Sequence, residues 1–140
     1  MFTECYSKEN FIKMHSMHDS LVSQILKEDN RLIIIYDNLD INSLDADGFL
    51  YYKGKKLTVK YEFESVCNAI LYKDNRIKYM DLSAEWEKFN KLKNKITLIS
   101  YKFSVDSFGE ITLSFSVCSK SKYRSLDIIT DAVNITYIWE

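Results

Sequence analysis

The sequence contains no proline and only three glycines and three cysteines among its 140 residues, which disfavours several kinds of site. Phosphate-binding loops and strained nucleophile turns need several glycines close together, and these glycines are dispersed. Cys5, Cys67 and Cys118 form no closely spaced pair, so neither a zinc ribbon nor a thioredoxin-like motif is present. We expect reduced, mostly buried thiols, as in a cytoplasmic protein.

The chain also lacks an excess of either charge and any long hydrophobic run. Its 19 basic and 20 acidic residues give a net charge of −1, whereas nucleic-acid binding usually requires a basic surplus. The longest apolar run, Leu32–Tyr36, is too short to cross a bilayer. Residues 1–5 show no basic segment followed by an apolar one, so we expect no signal peptide. These observations predict a cytoplasmic protein without a membrane or nucleic-acid partner.

The chain does contain a recurrent two-residue alternation of apolar and polar side chains. Odd positions in 97–105 and 111–117 are apolar or threonine, and serine, lysine and threonine lie mostly between them. Because successive side chains of a strand point to opposite faces, this pattern predicts two strands with one buried face each. Alternating or apolar runs within 19–37 and 126–140 predict further strands, and those within 57–64 and 66–72 predict two separate ones.

Two segments have helical character. Apolar residues recur at helical spacing over about 83–93, where Asp81 or Ser83 is the predicted cap, and Lys88, Lys91, Lys93 and Lys95 complement the helix dipole. A short N-terminal helix capped by Ser7 is predicted to end around His15. The predicted fold is therefore a single α+β domain over 1–140. It is a curved antiparallel meander of about eight or nine strands that carries the main helix and the short N-terminal helix.

His15, His18 and Asp19 form the first candidate site. The two histidines and the adjacent carboxylate are ligand types that suit zinc or a similar metal. The pair, however, spans a predicted junction between helix and strand, and nothing in the sequence selects a third ligand. The alternative is that His18 or Asp19 fixes this junction through bonds to the backbone.

An acidic stretch and a neighbouring aromatic pair form the second candidate site. The stretch resembles a fragment of a calcium loop, but it lacks the expected ligand at two positions, so we interpret it as an acidic surface loop. The tyrosines precede a lysine-rich turn, which suits a hairpin tip, and exposed tyrosines are common anchors at protein interfaces. The candidate partner-binding residues are Asp37, Asp40, Asp45, Asp47, Tyr51 and Tyr52.

The His18-Asp19-Ser20 step, followed by Leu21 and the apolar run Leu32–Leu39, resembles the start of several families of small bacterial β-rich proteins. Some members of these families are immunity proteins encoded beside toxins. The resemblance covers about the first third of the chain. It implies a binding protein that blocks a partner's active site and has no catalysis of its own.

We therefore expect a non-catalytic protein-binding module of the immunity or inhibitor kind. Its partner would be another protein, such as a toxin; it would need no cofactor and would be a monomer or homodimer. One alternative is a small metal-dependent enzyme or ligand-binding protein that uses His15, His18 and Asp19. Another is a self-associating structural module whose exposed edge strands pair between protomers.

Overall fold

Eight β-strands, one α-helix and one 3-10 helix account for most of the described chain. The computed structural model describes residues 2–14, 17, 19–37, 56–118 and 121–140. All strand pairings are antiparallel, as the sequence predicts, and no helix in these ranges has the length and apolar character to cross a bilayer. The elements are β1 (Phe2–Ser7), a 3-10 helix (Lys8–Lys13), β2 (Leu21–Glu28), β3 (Arg31–Asp37), β4 (Lys56–Tyr72), β5 (Ile77–Asp81), α1 (Trp86–Lys93), β6 (Leu98–Val105), β7 (Ile111–Val117) and β8 (Ser125–Trp139).

The sheet closes on itself through two seams of different length. Strands β2 to β5 form one meander of consecutive strands, and β6 to β8 form a second. The first seam joins β4 to β8 over thirteen register positions, from Leu57 opposite Trp139 to Tyr72 opposite Ser125. The second seam joins β2 to β6 at only two positions. Strand β1 extends the sheet beside the end of β8.

Strand β4 is continuous through a bulge that a side chain of β8 holds in place. Its pairing with β8 is interrupted within 63–67. There the carboxylate of Asp131 accepts the backbone N–H groups of Glu64, Ser65 and Val66 at 2.9–3.2 Å, and the Ser65 hydroxyl at 2.9 Å. The sequence pattern predicted two separate strands at this point. The bulge instead joins them into one strand of 17 residues that serves both halves of the sheet.

The predicted alternation is confirmed in β7 and wrong in the first half of β6. Ile111, Leu113 and Phe115 are at most 4% exposed, as expected for one buried face. In β6 the register with β7 shifts at Tyr101, whose side chain is 57% exposed, and Leu98 is buried in place of the odd-numbered residues. A one-residue shift exchanges the two faces of a strand, so the bulge explains the error.

The predicted N-terminal α-helix capped by Ser7 is not seen. A short 3-10 helix lies in its place, with Ser7 at the cap position, and β1, which the pattern did not predict, precedes it. Strand β1 pairs with residues 134–139 of β8. The carboxylate of Glu4 accepts hydrogen bonds from the Tyr6 hydroxyl at 2.6 Å and from Trp139 Nε1 at 2.7 Å. Glu4 thus holds β1 against the end of β8. The segment after Ser7 forms only a 3-10 helix, and an isolated α-helix of the predicted length has little stability of its own.

The main helix is confirmed, but it begins at Trp86 and its cap differs from the prediction. The side chain of Asp81 accepts the backbone N–H of Ser83 at 2.9 Å, and the carboxylate of Glu85 accepts the N–H of Asp81 at 3.1 Å. These bonds form a turn before the helix, and Glu85 occupies the cap position. The first predicted turn of helix is therefore a separate polar turn. Phe89 anchors the helix and is fully buried in the hydrophobic core.

The enclosed interior is rich in tyrosine. Tyr36, Tyr61 and Tyr137 are at most 2% exposed and lie in one hydrophobic cluster. Burial raises the pKa of Tyr36, and a hydrogen bond with Ser100 offsets only part of that rise. Burial also raises the pKa of Tyr61 well above its ordinary value, and the nearby Tyr137 and Tyr36 add to the rise. These hydroxyls therefore stay neutral, which allows them to be buried in a hydrophobic core.

Candidate functional site

The first predicted site is only partly within the described residues. His15 and His18 lie outside them. Asp19 is exposed, has a φ of 65°, and donates its backbone N–H to the carbonyl of Ser100 at 2.8 Å. The backbone of Asp19 thus fixes the start of β2 against β6, whereas the metal interpretation stays a prediction. Within the described ranges, no group of three or more histidine, cysteine, aspartate or glutamate residues could hold a metal.

The second predicted site also falls largely outside the described residues. Asp37 is exposed and ends β3, where it lies opposite Lys56 of β4. Its position is that of an ordinary surface residue beside a cation. The other five residues of this site lie outside the described ranges, and their role stays a prediction. They are Asp40, Asp45, Asp47, Tyr51 and Tyr52.

The buried cysteine is not a candidate nucleophile. Cys67 is completely buried in the core, and burial raises the pKa of its thiol to about 12. The neighbouring β8 residue in register is Thr130, whose buried Oγ1 has no hydrogen-bond partner among the described residues. A nucleophilic cysteine needs access and a lowered pKa, and this thiol has neither. Cys67 therefore belongs to the core. Cys5 and Cys118 are exposed, so the prediction of mostly buried thiols is wrong for two of the three.

A groove of about 580 Å³ opens between α1, β5 and the segment 121–123, and half of its described lining residues are lysines. Among the described residues, Glu87 is the one acidic residue that lines it, and Leu92, Ile96 and Tyr123 supply its apolar surface. We call this feature the lysine groove. Its basic residues are Lys78, Lys88, Lys91, Lys95 and Lys122.

The helical wall of the lysine groove follows from the amphipathic pattern of α1. Phe89 packs into the core, and the ring of Trp86 lies 5.6 Å from it, centroid to centroid. Lys88 and Lys91 are three residues apart, so they share the opposite, exposed face of the helix, and Lys95 follows in the turn after it. The same pattern that attaches the helix to the core therefore presents a row of ammonium groups to the groove.

The opposite wall is fixed by backbone hydrogen bonds at the start of β8. The N–H of Arg124 donates to the carbonyl of Tyr72 at 2.8 Å, and the N–H of Val117 donates to the carbonyl of Arg124 at 3.1 Å. The adjacent Tyr123 is only 5% exposed. The Nζ atoms of Lys73 and Lys122 lie 5.1 and 5.6 Å from its ring centroid, which is within the range of cation–π attraction.

The groove lysines are not neutralised within the described part of the chain. No carboxylate there forms an ion pair with any of the five ammonium groups that line the groove. Other cations do have such partners: Lys56 lies 3.9 Å from Glu140, and Arg124 lies 2.6 Å from Asp74. Several like charges in one concave surface create a local positive potential, although the net charge of the chain is −1. The arrangement is suited to binding an anionic group.

A smaller cavity of about 160 Å³ lies beside the bulge of β2 and the end of α1. Lys93 lines it and donates from Nζ to Asn94 Oδ1 at 3.0 Å, and partial burial lowers the pKa of Lys93. A space of this size has room for only a few waters, since one water occupies roughly 30 Å³. We interpret it as a packing gap where β2 and β6 separate.

Sequence reasoning recognised the helix lysines but assigned them only to the helix dipole. The spacing of Lys88, Lys91 and Lys95 was the available signal for a shared face. Lys78 and Lys122 join that face only through the tertiary fold, so the groove could not be found from local pattern. Comparison of the chain with protein-family models, curated proteins and solved structures finds no match.

Proposed function

We propose that the protein is a non-catalytic protein-binding module and that the lysine groove receives an acidic part of its partner. The observation that carries this proposal is the set of five lysines around a concave surface, without carboxylate partners among the described residues. Charge complementarity of this kind accelerates encounter and selects against basic partners. The apolar atoms of Leu92 and Ile96 on the same surface provide area to bury on association.

A protein partner fits this groove better than a nucleic acid does. Proteins that hold single-stranded nucleic acid offer exposed aromatic rings on which bases stack. The aromatic ring of this groove belongs to Tyr123, which is 5% exposed and already associated with two lysines. No arginine lines the groove among the described residues, and arginine is the usual residue for bidentate phosphate contacts. A segment with carboxylates and aliphatic side chains matches both the cationic and the apolar parts of the lining.

The inhibitor role expected from the sequence is a narrower form of this proposal. In that form, capture of the partner blocks its active site. It is tested separately, by measuring the partner's own activity with and without an equimolar amount of the protein. If the partner binds but its activity is unchanged, the protein-binding proposal stands and the inhibitor role is rejected.

The binding proposal is tested by affinity capture from nuclease-treated host lysate, followed by reconstitution with the purified partner. The wild-type protein is compared with the double variant Lys88→Glu/Lys91→Glu, which reverses the charge of the helical wall. Lys102→Glu is the matched control, because Lys102 is an exposed lysine of β6 outside the groove. Circular dichroism and thermal unfolding establish that all three proteins are folded.

We expect one partner to bind at fixed stoichiometry and with about a tenfold or greater loss of affinity in the double variant, since each 1.4 kcal/mol lost corresponds to tenfold. The Lys102→Glu control should bind like the wild type. If the control weakened partner binding equally, the effect would be one of general charge, and the proposal that the groove binds the partner would be rejected. The proposal would also be rejected if the partner bound the double variant and the Lys102→Glu control as tightly as the wild type. Native mass spectrometry of the protein alone tests self-association, the other non-catalytic alternative.

A further inference from the structure

Among the described residues, no strand pairs with the outer edge of the sheet beside the lysine groove. Within the described residues, β5 pairs with β4 alone and ends the strand order of the sheet. The hairpin begins with the Lys73 N–H donating to the Arg76 carbonyl at 2.9 Å, and the Leu82 N–H donates to the Cys67 carbonyl at 2.8 Å. Even-numbered residues of β5 therefore bond to β4. The main-chain groups of Ile77 point to the opposite, unpaired side, and so do those of Tyr79.

The two faces of β5 differ in chemistry. Lys78 lines the lysine groove on one face. On the other face the side chains of Ile77 and Tyr79 are 53% and 68% exposed. Because side chains alternate along a strand, a strand added to this edge would place every second side chain beside Lys78 and the others beside Ile77 and Tyr79. Carboxylates suit the first position, and apolar side chains suit the second.

We infer that the partner contributes an extended segment of alternating acidic and apolar residues, which pairs with β5 as an additional strand. This inference rests on the proposed function, because it requires the lysine groove to receive an acidic protein segment. Strand addition supplies affinity through main-chain hydrogen bonds and specificity through alternate side chains. Both features are present in the described part of the chain, where an edge without a strand partner lies next to a cationic groove without carboxylate partners.

A second copy of this chain is a poor occupant of the same edge. Pairing β5 with its own copy would bring two Lys78 side chains close together and would unite two cationic grooves. Like charges on adjacent strands destabilise pairing, and lysines on an edge strand are a common protection against it. An acidic segment removes that repulsion. The charge of the groove therefore favours a partner over a copy.

The inference is tested by fluorescence anisotropy with a labelled nine-residue peptide of alternating glutamate and valine. One control peptide replaces every glutamate by glutamine, and a second has the same composition with the glutamates grouped. Two further peptides carry N-methyl groups on one or the other set of alternate amides, which removes the donors of one edge at a time. A single-stranded RNA of the same length tests the nucleic-acid alternative.

Three protein variants complete the test. Lys78→Glu reverses the charge nearest the edge, and Lys102→Glu is its control. Tyr79→Pro removes the N–H that faces the open edge, a place where proline is tolerated, whereas Tyr79→Ala keeps this N–H and removes only the side chain. If Tyr79→Pro does not fold, the N-methylated peptides still test the main-chain bonds, since they leave the protein unchanged.

We expect the alternating peptide to bind and the glutamine and grouped peptides to bind at least about tenfold more weakly, the scale expected from losing charge-assisted contacts. Only one of the two N-methyl sets should weaken binding. Tyr79→Pro should weaken binding more than Tyr79→Ala, and Lys78→Glu more than Lys102→Glu.

The contrary results separate the two proposals. Equal binding of both N-methylated peptides with retained lysine dependence would reject strand addition and leave the groove as a protein-binding surface. Failure of the peptide to bind, together with lysine-dependent capture of a protein partner, would have the same meaning. Lysine-dependent binding of the RNA without binding of any peptide or protein would reject both proposals.

Discussion

The two seams that close the sheet are built on different principles. The β4–β8 seam is a long ladder, and its inward side chains form much of the core. The β2–β6 seam has two register positions and two flanking backbone bonds between residues 19–20 and Ser100, each 2.8 Å long. The first seam is redundant, because the loss of one contact leaves many others. The second depends on a few groups and should open at lower free energy than the whole domain unfolds.

The largest expected effect on stability comes from the core beneath the β4–β8 seam. Ile128 is completely buried in β8 and lies opposite Ala69 and Leu113. Ile128→Ala should lower the free energy of unfolding by about 2–5 kcal/mol, as other large-to-small core substitutions do. Ile129→Ala is the matched control, because Ile129 is on the other face and only half-buried. Urea unfolding of both variants measures the difference. Equal costs would show that the two faces of β8 contribute alike.

A smaller effect on stability is expected beside the β2–β6 seam, where Tyr36 and Ser100 share a hydrogen bond. Ser100→Ala removes the hydrogen-bond partner of a fully buried tyrosine hydroxyl and should cost about 1–2 kcal/mol. Tyr36→Phe should cost a similar amount. The double variant should cost clearly less than the sum, because it leaves neither group unpaired. Strictly additive costs in chemical denaturation would show that this bond does not support the seam.

The smallest effect on stability is expected at the bulge of β4, which interrupts the β4–β8 seam. Burial alone would raise the pKa of Asp131, but the hydrogen bonds from Val66, Ser65 and Glu64 outweigh it and hold that pKa below its ordinary value. The carboxylate therefore stabilises the fold fully above the unfolded pKa of about 3.9. This stabilisation is lost as the pH falls through the lower, folded-state pKa.

Asp131→Asn should lower the free energy of unfolding by about 1 kcal/mol at pH 7, since water reaches this half-exposed site. The difference from the wild type should diminish below pH 4 as the wild-type carboxyl becomes protonated. Urea unfolding at pH 7 and pH 3 measures it, and Asp127→Asn is a control on the same strand. A difference that stays constant with pH would show that the charge of Asp131 does not hold the bulge.

The regular part of the fold was predictable because its cause is local. The alternation in β7 and the helical spacing around Phe89 reflect contacts with one continuous core, and both are confirmed. The failures arose where a distant residue decides the outcome. Strand β1 depends on bonds between Glu4 and Trp139, and the bulge of β4 depends on Asp131. The register shift at Tyr101 has no signal in the sequence, because the alternation of apolar and polar residues continues through it.

The candidate site was less predictable for the same reason. A row of lysines on one helix face can be read from the sequence, but its meaning depends on what lies opposite. Here Lys78 and Lys122 complete the lysine groove from separate parts of the chain. The sequence favoured the acidic residues from Asp37 onwards because they lie close together in one short stretch of the chain. A site assembled by the fold has no such continuity, so only the structure reveals it.

The position of β8 in the chain has a consequence for folding kinetics. This strand pairs with β1, β4 and β7, so most of the sheet depends on residues 125–139. Strand β1 finds its only described strand partner there, more than 120 residues along the chain. Such distant pairings make folding slow, on the order of milliseconds to seconds. During synthesis, β1 and β4 therefore remain without their pairing to β8 until the last of the described strands has been made.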